Sequence, residues 1–163
     1  MPTARKLAQL YRQAHNIMRN IDGLQPQEAF DELLKYLFFR QKNDAAQRET
    51  ITTNSVTDIR KLFSQYLGRT NSWSAEIWRD KKIHLSDKCL SDIHELLQPV
   101  EISKLDLDIR SHALREFLSS DLRKGLGIFL TPEDVVKAIV EYVAPRPGQS
   151  VLDPACGSGT FLI

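Results

Sequence analysis

Apolar residues recur along the chain at steps of three and four, the spacing that places side chains on one face of an α-helix. The first stretch joins Leu7, Tyr11, Ala14 and Met18, and it is broken after Asp22. Five further stretches follow the same spacing, so the pattern predicts a mainly α chain. The six predicted helices cover residues 3–20, 26–42, 55–67, 87–98, 108–122 and 132–143.

Residues that favour helix starts support several of these boundaries. Pro26 suits the first position of the second helix. Ser55 and Ser86 are predicted N-caps of the third and fourth helices. Before the sixth helix, Thr131 is a predicted N-cap and Pro132 a predicted first residue, with two acids following near the positive end of the helix dipole.

The segments between the helices are less regular. Residues 43–54 are polar and aperiodic, which predicts a surface loop, and Gly68 is predicted to end the third helix. Trp73 and Trp78 are expected to anchor the following segment to the core, because an indole buries a large apolar area. The short basic run 79–82 is expected to lie in a solvated loop.

The C-terminal stretch has a different pattern. Residues 150–153 favour a β-strand that leads into a glycine turn at 156–159, and residues 160–163 are predicted to begin a helix. A strand without a partner is not stable. We therefore expect this end of the chain to be the cut edge of a sheet-bearing domain.

Composition narrows the class of protein. Hydrophobic residues make up 42% and charged residues 26%, as in a globular protein, and the net charge of +1 gives no sign of a nucleic-acid binder. The two cysteines and four histidines lack metal-ligand spacing, so no metal site is expected, and the histidines are expected at the surface or at helix edges. With no apolar run of ~20 residues and no secretory signal, a cytoplasmic protein is expected.

The glycine turn carries the candidate chemistry. A Gly-x-Gly alone is a weak signal, but Asp153 places a carboxylate beside the turn, where it can accept a hydrogen bond from an amino group. The third glycine of a dinucleotide site and the lysine of a phosphate-binding loop are both missing. These absences favour a nucleoside ligand without phosphates. Cys156 has no local base and is interpreted as a small filler.

Two motifs at suitable spacing carry a family resemblance. The segment Asp153-Pro-Ala-Cys-Gly-Ser-Gly-Thr-Phe161 resembles the first motif of S-adenosylmethionine-dependent N6-adenine DNA methyltransferases, above all the modification subunits of type I restriction-modification systems. Gly127-Ile-Phe-Leu-Thr-Pro132 resembles the family segment that precedes the first sheet strand. Further matches lie at Ala113-x-x-Glu116-Phe117 and at Phe30-Asp-Glu-Leu-x-Lys35.

The resemblance implies a fold and an S-adenosylmethionine site, with no metal. Residues 1–122 would form a helical N-terminal bundle for DNA or partner docking, and residues 123–163 would begin a truncated Rossmann-like α/β methyltransferase domain. Two departures are that Leu130 replaces a frequent aromatic and that Thr160 replaces a frequent glycine. The implied cofactor-binding residues are Phe129, Leu130, Thr131, Pro132, Asp153, Gly157, Ser158, Gly159 and Thr160.

The function implied is transfer of a methyl group to N6 of adenine in DNA, by a protein that also binds a specificity subunit and a restriction subunit. The family grips a flipped adenine with an Asn/Asp-Pro-Pro-aromatic motif, and this sequence contains no Pro-Pro pair. We therefore expect the isolated chain to be inactive. The alternative is a helical interaction module that docks a specificity subunit and binds no ligand itself. A fragment of a dinucleotide-dependent oxidoreductase is disfavoured, because the third glycine is missing.

Overall fold

The computed structural model describes residues 2–46, 55–69, 80–118, 129–157 and 159–162. Within these ranges all six predicted helices are present, which confirms a mainly α chain. A short 3-10 helix, Ile102–Lys104, precedes the fifth of them. The helices are α1 (Ala4–Asp22), α2 (Pro26–Ala46), α3 (Val56–Arg69), α4 (Asp87–Leu97), α5 (Leu107–Phe117) and α6 (Glu133–Val143).

Helix α1 lies at the centre of the bundle, where it packs against α2, α4 and α5. Helix α2 also packs against α3 and the 3-10 helix. The apolar positions of α1 that follow helical spacing, among them Leu7, Ala14 and Met18, are fully buried. Burial of a leucine or methionine side chain contributes about 1.5–3 kcal/mol, so this stripe accounts for the central place of α1.

Phe117 at the end of α5 closes one side of the core. Its ring meets Tyr11 edge-on at 6.1 Å between centroids and stacks on Phe30 at 6.2 Å. Ala113, one turn earlier, is also fully buried. Helix α5 is therefore held firmly against the bundle, and the side chains on its other face project from a fixed base.

The predicted end of α2 was wrong. The helix continues through residues 43–46, which the sequence assigned to a loop, and the remainder of that predicted loop lies outside the described residues. Asn43 accepts a hydrogen bond from Tyr66 at 3.2 Å, and Asp44 pairs with Arg40 one turn earlier. A tertiary partner for Asn43 and a partner for Asp44 in the same helix thus satisfy polar groups that by composition favour a loop.

Two other helix boundaries differ from prediction. Helix α3 runs through Arg69, so Gly68 does not end it. Helix α6 begins at Glu133 with Pro132, in place of Thr131, as its N-cap residue. The Pro132 carbonyl accepts the first backbone hydrogen bonds of α6, from Val135 and Val136 at 3.1 Å.

Three predicted helix starts are confirmed. Helix α2 begins at Pro26, and α3 and α4 begin directly after Ser55 and Ser86. The Ser86 hydroxyl accepts a hydrogen bond from the Cys89 N–H at 3.2 Å.

The C-terminal segment is irregular, and no strand occurs in the described part of the chain. Val151 and Leu152, the predicted strand residues, are 57% and 84% exposed. On α6 only Val136 is buried, whereas Ile139 and Tyr142 are exposed. Residues 159–161 form a turn where the first turn of a helix was predicted. The strand of a Rossmann-like domain therefore remains a prediction.

Several sequence-based predictions concern residues outside the described ranges: Trp73, Trp78, Arg79, Ser158 and residues 119–128 among them. One histidine prediction was wrong. His15 is only 5% exposed, because it lies on the inner face of α1 with Nε2 donating to the Pro26 carbonyl at 3.2 Å. None of the described helices is long and apolar enough to cross a membrane.

Candidate functional site

The first candidate wall is the extended segment 129–132 that leads into α6. Leu130 is half-buried and packs against the bundle core, which fixes the segment at one point. Phe129 is 96% exposed, and Thr131 and Pro132 are also exposed. The backbone carbonyl of Thr131 accepts a hydrogen bond from Arg115 at 3.5 Å. The segment thus turns the Thr131 carbonyl toward α5, while the side chains of Phe129, Thr131 and Pro132 face solvent.

The second candidate wall is the loop from Asp153 to Thr160. The Asp153 carboxylate is oriented by its own loop, since Oδ1 accepts from the Ala155 N–H at 3.0 Å. Within the described part of the chain, the other oxygen, Oδ2, accepts no hydrogen bond. A half-buried carboxylate fixed in this way can accept from an amino or hydroxyl group that enters the loop.

Two positions of the turn, 157 and 159, have a backbone conformation that favours glycine. Gly157 has a φ of 52° and Gly159 a φ of 78°, in the left-handed region that costs other residues about 1–2 kcal/mol. The turn is closed by hydrogen bonds from the Gly159 N–H to the Cys156 carbonyl and from the Leu162 N–H to the Gly159 carbonyl, at 2.8 and 2.9 Å. A Cβ at Gly157 would meet no atom within 4 Å. Open space therefore borders the backbone of the turn, as a ligand site requires.

Arg115 of α5 joins the two walls, and sequence analysis did not single it out. Its Nη1 donates to the Thr160 hydroxyl at 3.4 Å, and its Nη2 donates to the Thr131 carbonyl. Nη1 also lies 3.5 Å from Oε1 of Glu133. The sequence indicated a role for Arg115 only through its position inside the motif that runs from Ala113 to Phe117.

The predicted site residues line three neighbouring hollows. Leu130, Thr131 and Pro132 line one of about 550 Å³, and Thr160 lines a second of about 440 Å³ together with Ser111 of α5. Asp153 lies in a third, mostly apolar hollow of about 590 Å³ beneath α6. Arg115 borders both of the first two. The structure brings the two walls together through Arg115, and none of these three hollows contains residues of both walls.

The residues present fit the chemistry of S-adenosylmethionine. Asp153 offers an acceptor for an amino or hydroxyl group, the glycine turn offers an open backbone edge, and Leu130 offers an apolar contact. No cluster of metal-ligating side chains occurs in the described ranges of the chain. A ligand with amino and hydroxyl groups, such as the nucleoside and amino-acid portions of S-adenosylmethionine, suits the Asp153 acceptor and the open backbone edge.

Comparison with known proteins agrees with the resemblance predicted from the two motifs. Residues 108–163 match the family model of N-6 DNA Methylase, a range that includes α5, both candidate walls and Arg115. The chain is similar to the type II restriction enzyme and methyltransferase RM.BcgI of Heyndrickxia coagulans, with 40% identity over 63 residues, 37% of this chain and 10% of that protein.

Type I systems supply further relatives. The EcoEI methylase subunit of Escherichia coli is 40% identical over 55 residues, 34% of this chain and 11% of that subunit. The MjaVII methylase subunit of Methanocaldococcus jannaschii is 34% identical over 76 residues, which are 45% of this chain and 13% of that subunit. The chain thus spans only about a tenth of the length of these relatives. No solved structure is detectably similar to it.

Proposed function

Because residues 108–163 match the N-6 DNA methylase family, we propose that this chain is the N-terminal part of a type I restriction-modification methylase subunit. The complete subunit would transfer a methyl group from S-adenosylmethionine to N6 of adenine in DNA. The observation that carries the proposal is that one matched range holds both motif segments and the α5 arginine that joins them.

The proposed cofactor site lies between the two walls. Asp153 would accept from the cofactor's amino or hydroxyl groups, and Gly157 to Gly159 would let its ribose and amino-acid portion approach the backbone closely. Phe129, Leu130, Thr131 and Pro132 would form the opposite wall, with Thr160 at the end of the turn. S-adenosylmethionine, when bound, supplies the methyl group. The chain's own residues would bind and orient it.

The exposed apolar surface of the C-terminal segment supports the domain part of the proposal. Val143 and Leu152 are 62% and 84% exposed, and the apolar hollow beneath α6 lies between them. Contiguous exposed apolar surface marks a binding or packing face. We propose that it packs against further strands of a Rossmann-like methyltransferase domain, which residues 123–163 begin.

The helical residues 1–122 would then serve for docking. Partners that fit a type I system are DNA, a specificity subunit and a restriction subunit. The chain alone would be inactive in methylation, because it contains no Pro-Pro pair to hold a flipped adenine. Methylation of adenine by the purified 163-residue chain at a rate above background would contradict this part of the proposal.

Calorimetric titration of S-adenosylmethionine into the purified chain tests the cofactor site. We expect saturable binding that Asp153→Asn weakens by about tenfold, the loss of one hydrogen bond to a charged group. Gly157→Val should weaken binding as well, since a β-branched residue cannot keep the left-handed turn.

The matched control is Gly148→Val. Gly148 also has a positive φ, 87°, and an added Cβ there would likewise meet no atom within 4 Å, but this glycine lies outside both walls. We expect this variant to bind S-adenosylmethionine like the parent chain. A flat titration of the parent chain would refute a usable cofactor site here and leave the docking module as the function of these residues.

A further inference from the structure

The two candidate walls belong to segments far apart in the chain, and a single guanidinium touches both. Arg115 Nη1 contacts the Thr160 hydroxyl at 3.4 Å, and Nη2 contacts the Thr131 carbonyl at 3.5 Å. The Arg115 side chain is only 14% exposed, in contrast to the exposed Thr131. Such burial restricts the positions that the guanidinium can take.

The chemistry of arginine suits this bridging role. A guanidinium is planar and presents its N–H donors in a fixed fork, so the separation of two bound acceptors is set by the fork itself. Arg115 also forms an ion pair with Glu133 at 3.5 Å, and this pair connects the guanidinium to the first turn of α6. His112 lies 3.9 Å from the same Glu133 oxygen. A lysine could supply the charge but could not hold two acceptors at a fixed spacing.

The base of this bridge is rigid. Helix α5 is anchored by Phe117 and Ala113, which are 1% and 0% exposed. Arg12 of α1 adds a second tie, because its Nη1 donates to the Glu116 carbonyl at 2.8 Å. Displacement of α5 would therefore disturb the core, whereas residues 154–157 of the glycine-turn loop are exposed. Hydrogen bonds within the loop close its turn, and the contact to Arg115 links that turn to α5.

We propose that Arg115 is a positioning residue that fixes the glycine turn and the segment 129–132 at one separation and ties both to the helical bundle. The consequence for cofactor binding rests on the proposed function. In that setting Arg115 orders the two walls before the cofactor binds. Less binding free energy is then spent on ordering the protein, and the affinity for the cofactor is higher. Its role is to hold other groups in place, without contact to the cofactor.

A native thiol allows the positioning to be measured without any ligand. Cys156 lies in the glycine turn and is exposed, whereas Cys89 is buried, so a nitroxide label will attach at the turn. We expect electron paramagnetic resonance to show a more mobile label in Arg115→Met than in the parent chain, with Arg115→Lys in between. Arg146→Met, a change on the exposed loop after α6, should leave the label unchanged.

Affinity for S-adenosylmethionine gives the second readout. Arg115→Met should weaken binding by about tenfold, a typical size for coupling between a distant group and a site. Glu133→Gln, which removes the carboxylate that pairs with Arg115, should weaken it too, and the double variant should be no weaker than Arg115→Met alone. Circular dichroism and the urea midpoint will identify any variant that fails to fold, in which case Arg115→Lys carries the test.

The two readouts separate the possible failures. Equal label mobility in the parent chain and in folded Arg115→Met would overturn the positioning role, whether or not the cofactor binds. A mobile label in Arg115→Met combined with a flat titration of the parent chain would support the positioning role and refute the proposed cofactor site. Additive losses in the double variant would show that Arg115 and Glu133 act separately, against the proposal.

Discussion

The carboxylate of Asp44, at the end of α2, accepts the backbone N–H of Ile102 at 2.8 Å. Its other oxygen holds the Nε of Arg40 at 3.2 Å, and Arg40 in turn donates to the Val100 carbonyl at 2.9 Å. The Arg40 and Asp44 side chains are only 5% and 9% exposed. This buried ion pair therefore fastens the segment that leads into α5, and through it the base of the candidate site.

Removal of the Asp44 carboxylate should destabilise the fold strongly. Asp44→Ala leaves the Arg40 charge buried without its partner and the Ile102 N–H without an acceptor, and loss of one member of a buried pair costs about 3–5 kcal/mol. The matched control is Asp92→Ala, which breaks the surface pair with Lys88 at a cost of about 0–1 kcal/mol. Urea unfolding measures both. Equal losses in the two variants would contradict the importance of burial.

Gly23 should be required for its backbone conformation alone. It ends α1 with a φ of 68°, and an added Cβ would meet no atom within 4 Å. Gly23→Ala should therefore cost about 1 kcal/mol, from left-handed strain without any clash. Gly23→Asn should cost less, because asparagine tolerates this conformation.

Exposed Asn20 in the last turn of α1 provides the control for Gly23. Asn20→Ala should change the free energy of unfolding by no more than about 0.5 kcal/mol, as surface substitutions usually do. A loss for Gly23→Ala no greater than that for Asn20→Ala would refute the role of the left-handed cap. Urea midpoints at matched protein concentration give the comparison.

The two thiols should differ sharply in reactivity. Burial, together with the nearby Asp22 carboxylate, raises the pKa of Cys89 to about 12, whereas Cys156 is exposed. Because the thiolate is the reactive form, Ellman's reagent should modify one thiol in the native chain and two in denaturant. Cys156→Ala should remove the native reaction. Fast native reaction of that variant would show that Cys89 is accessible.

The sequence predicted the helices well because their burial repeats with the helical period, and Leu7, Ala14 and Met18 of α1 are buried as the pattern requires. It failed at residues 43–46, since the Ile102 N–H that binds Asp44 lies 58 residues away and the hydroxyl that binds Asn43 belongs to Tyr66 of α3, contacts that no local rule can supply. For the same reason Arg115 was missed. Its contact residues Thr131 and Thr160 are separated from it by 16 and 45 positions in the sequence. Motif spacing identified the walls, but only the fold reveals what holds them together.

Stability should fall in mild acid through His15. Burial lowers the pKa of His15 below the 6.5 of an exposed histidine, and its hydrogen bond to the Pro26 carbonyl offsets this only partly. The unfolded chain therefore binds a proton at a pH where the folded chain does not. The contribution of neutral His15 is complete above about pH 6.5 and is lost as the pH falls below that value toward the lower pKa of the folded state.

Replacement of His15 by a neutral donor isolates this effect. In His15→Gln the amide can still donate to the Pro26 carbonyl but cannot titrate, so the free energy of unfolding should fall less between about pH 8 and about pH 5 than in the parent chain. Asn20→Ala, a change at an exposed position of the same helix that does not titrate, should keep the parent's pH dependence. Urea unfolding across this range tests both variants. Parallel curves for the parent chain and His15→Gln would mean that His15 takes up its proton equally in the folded and unfolded states, contrary to what its burial implies.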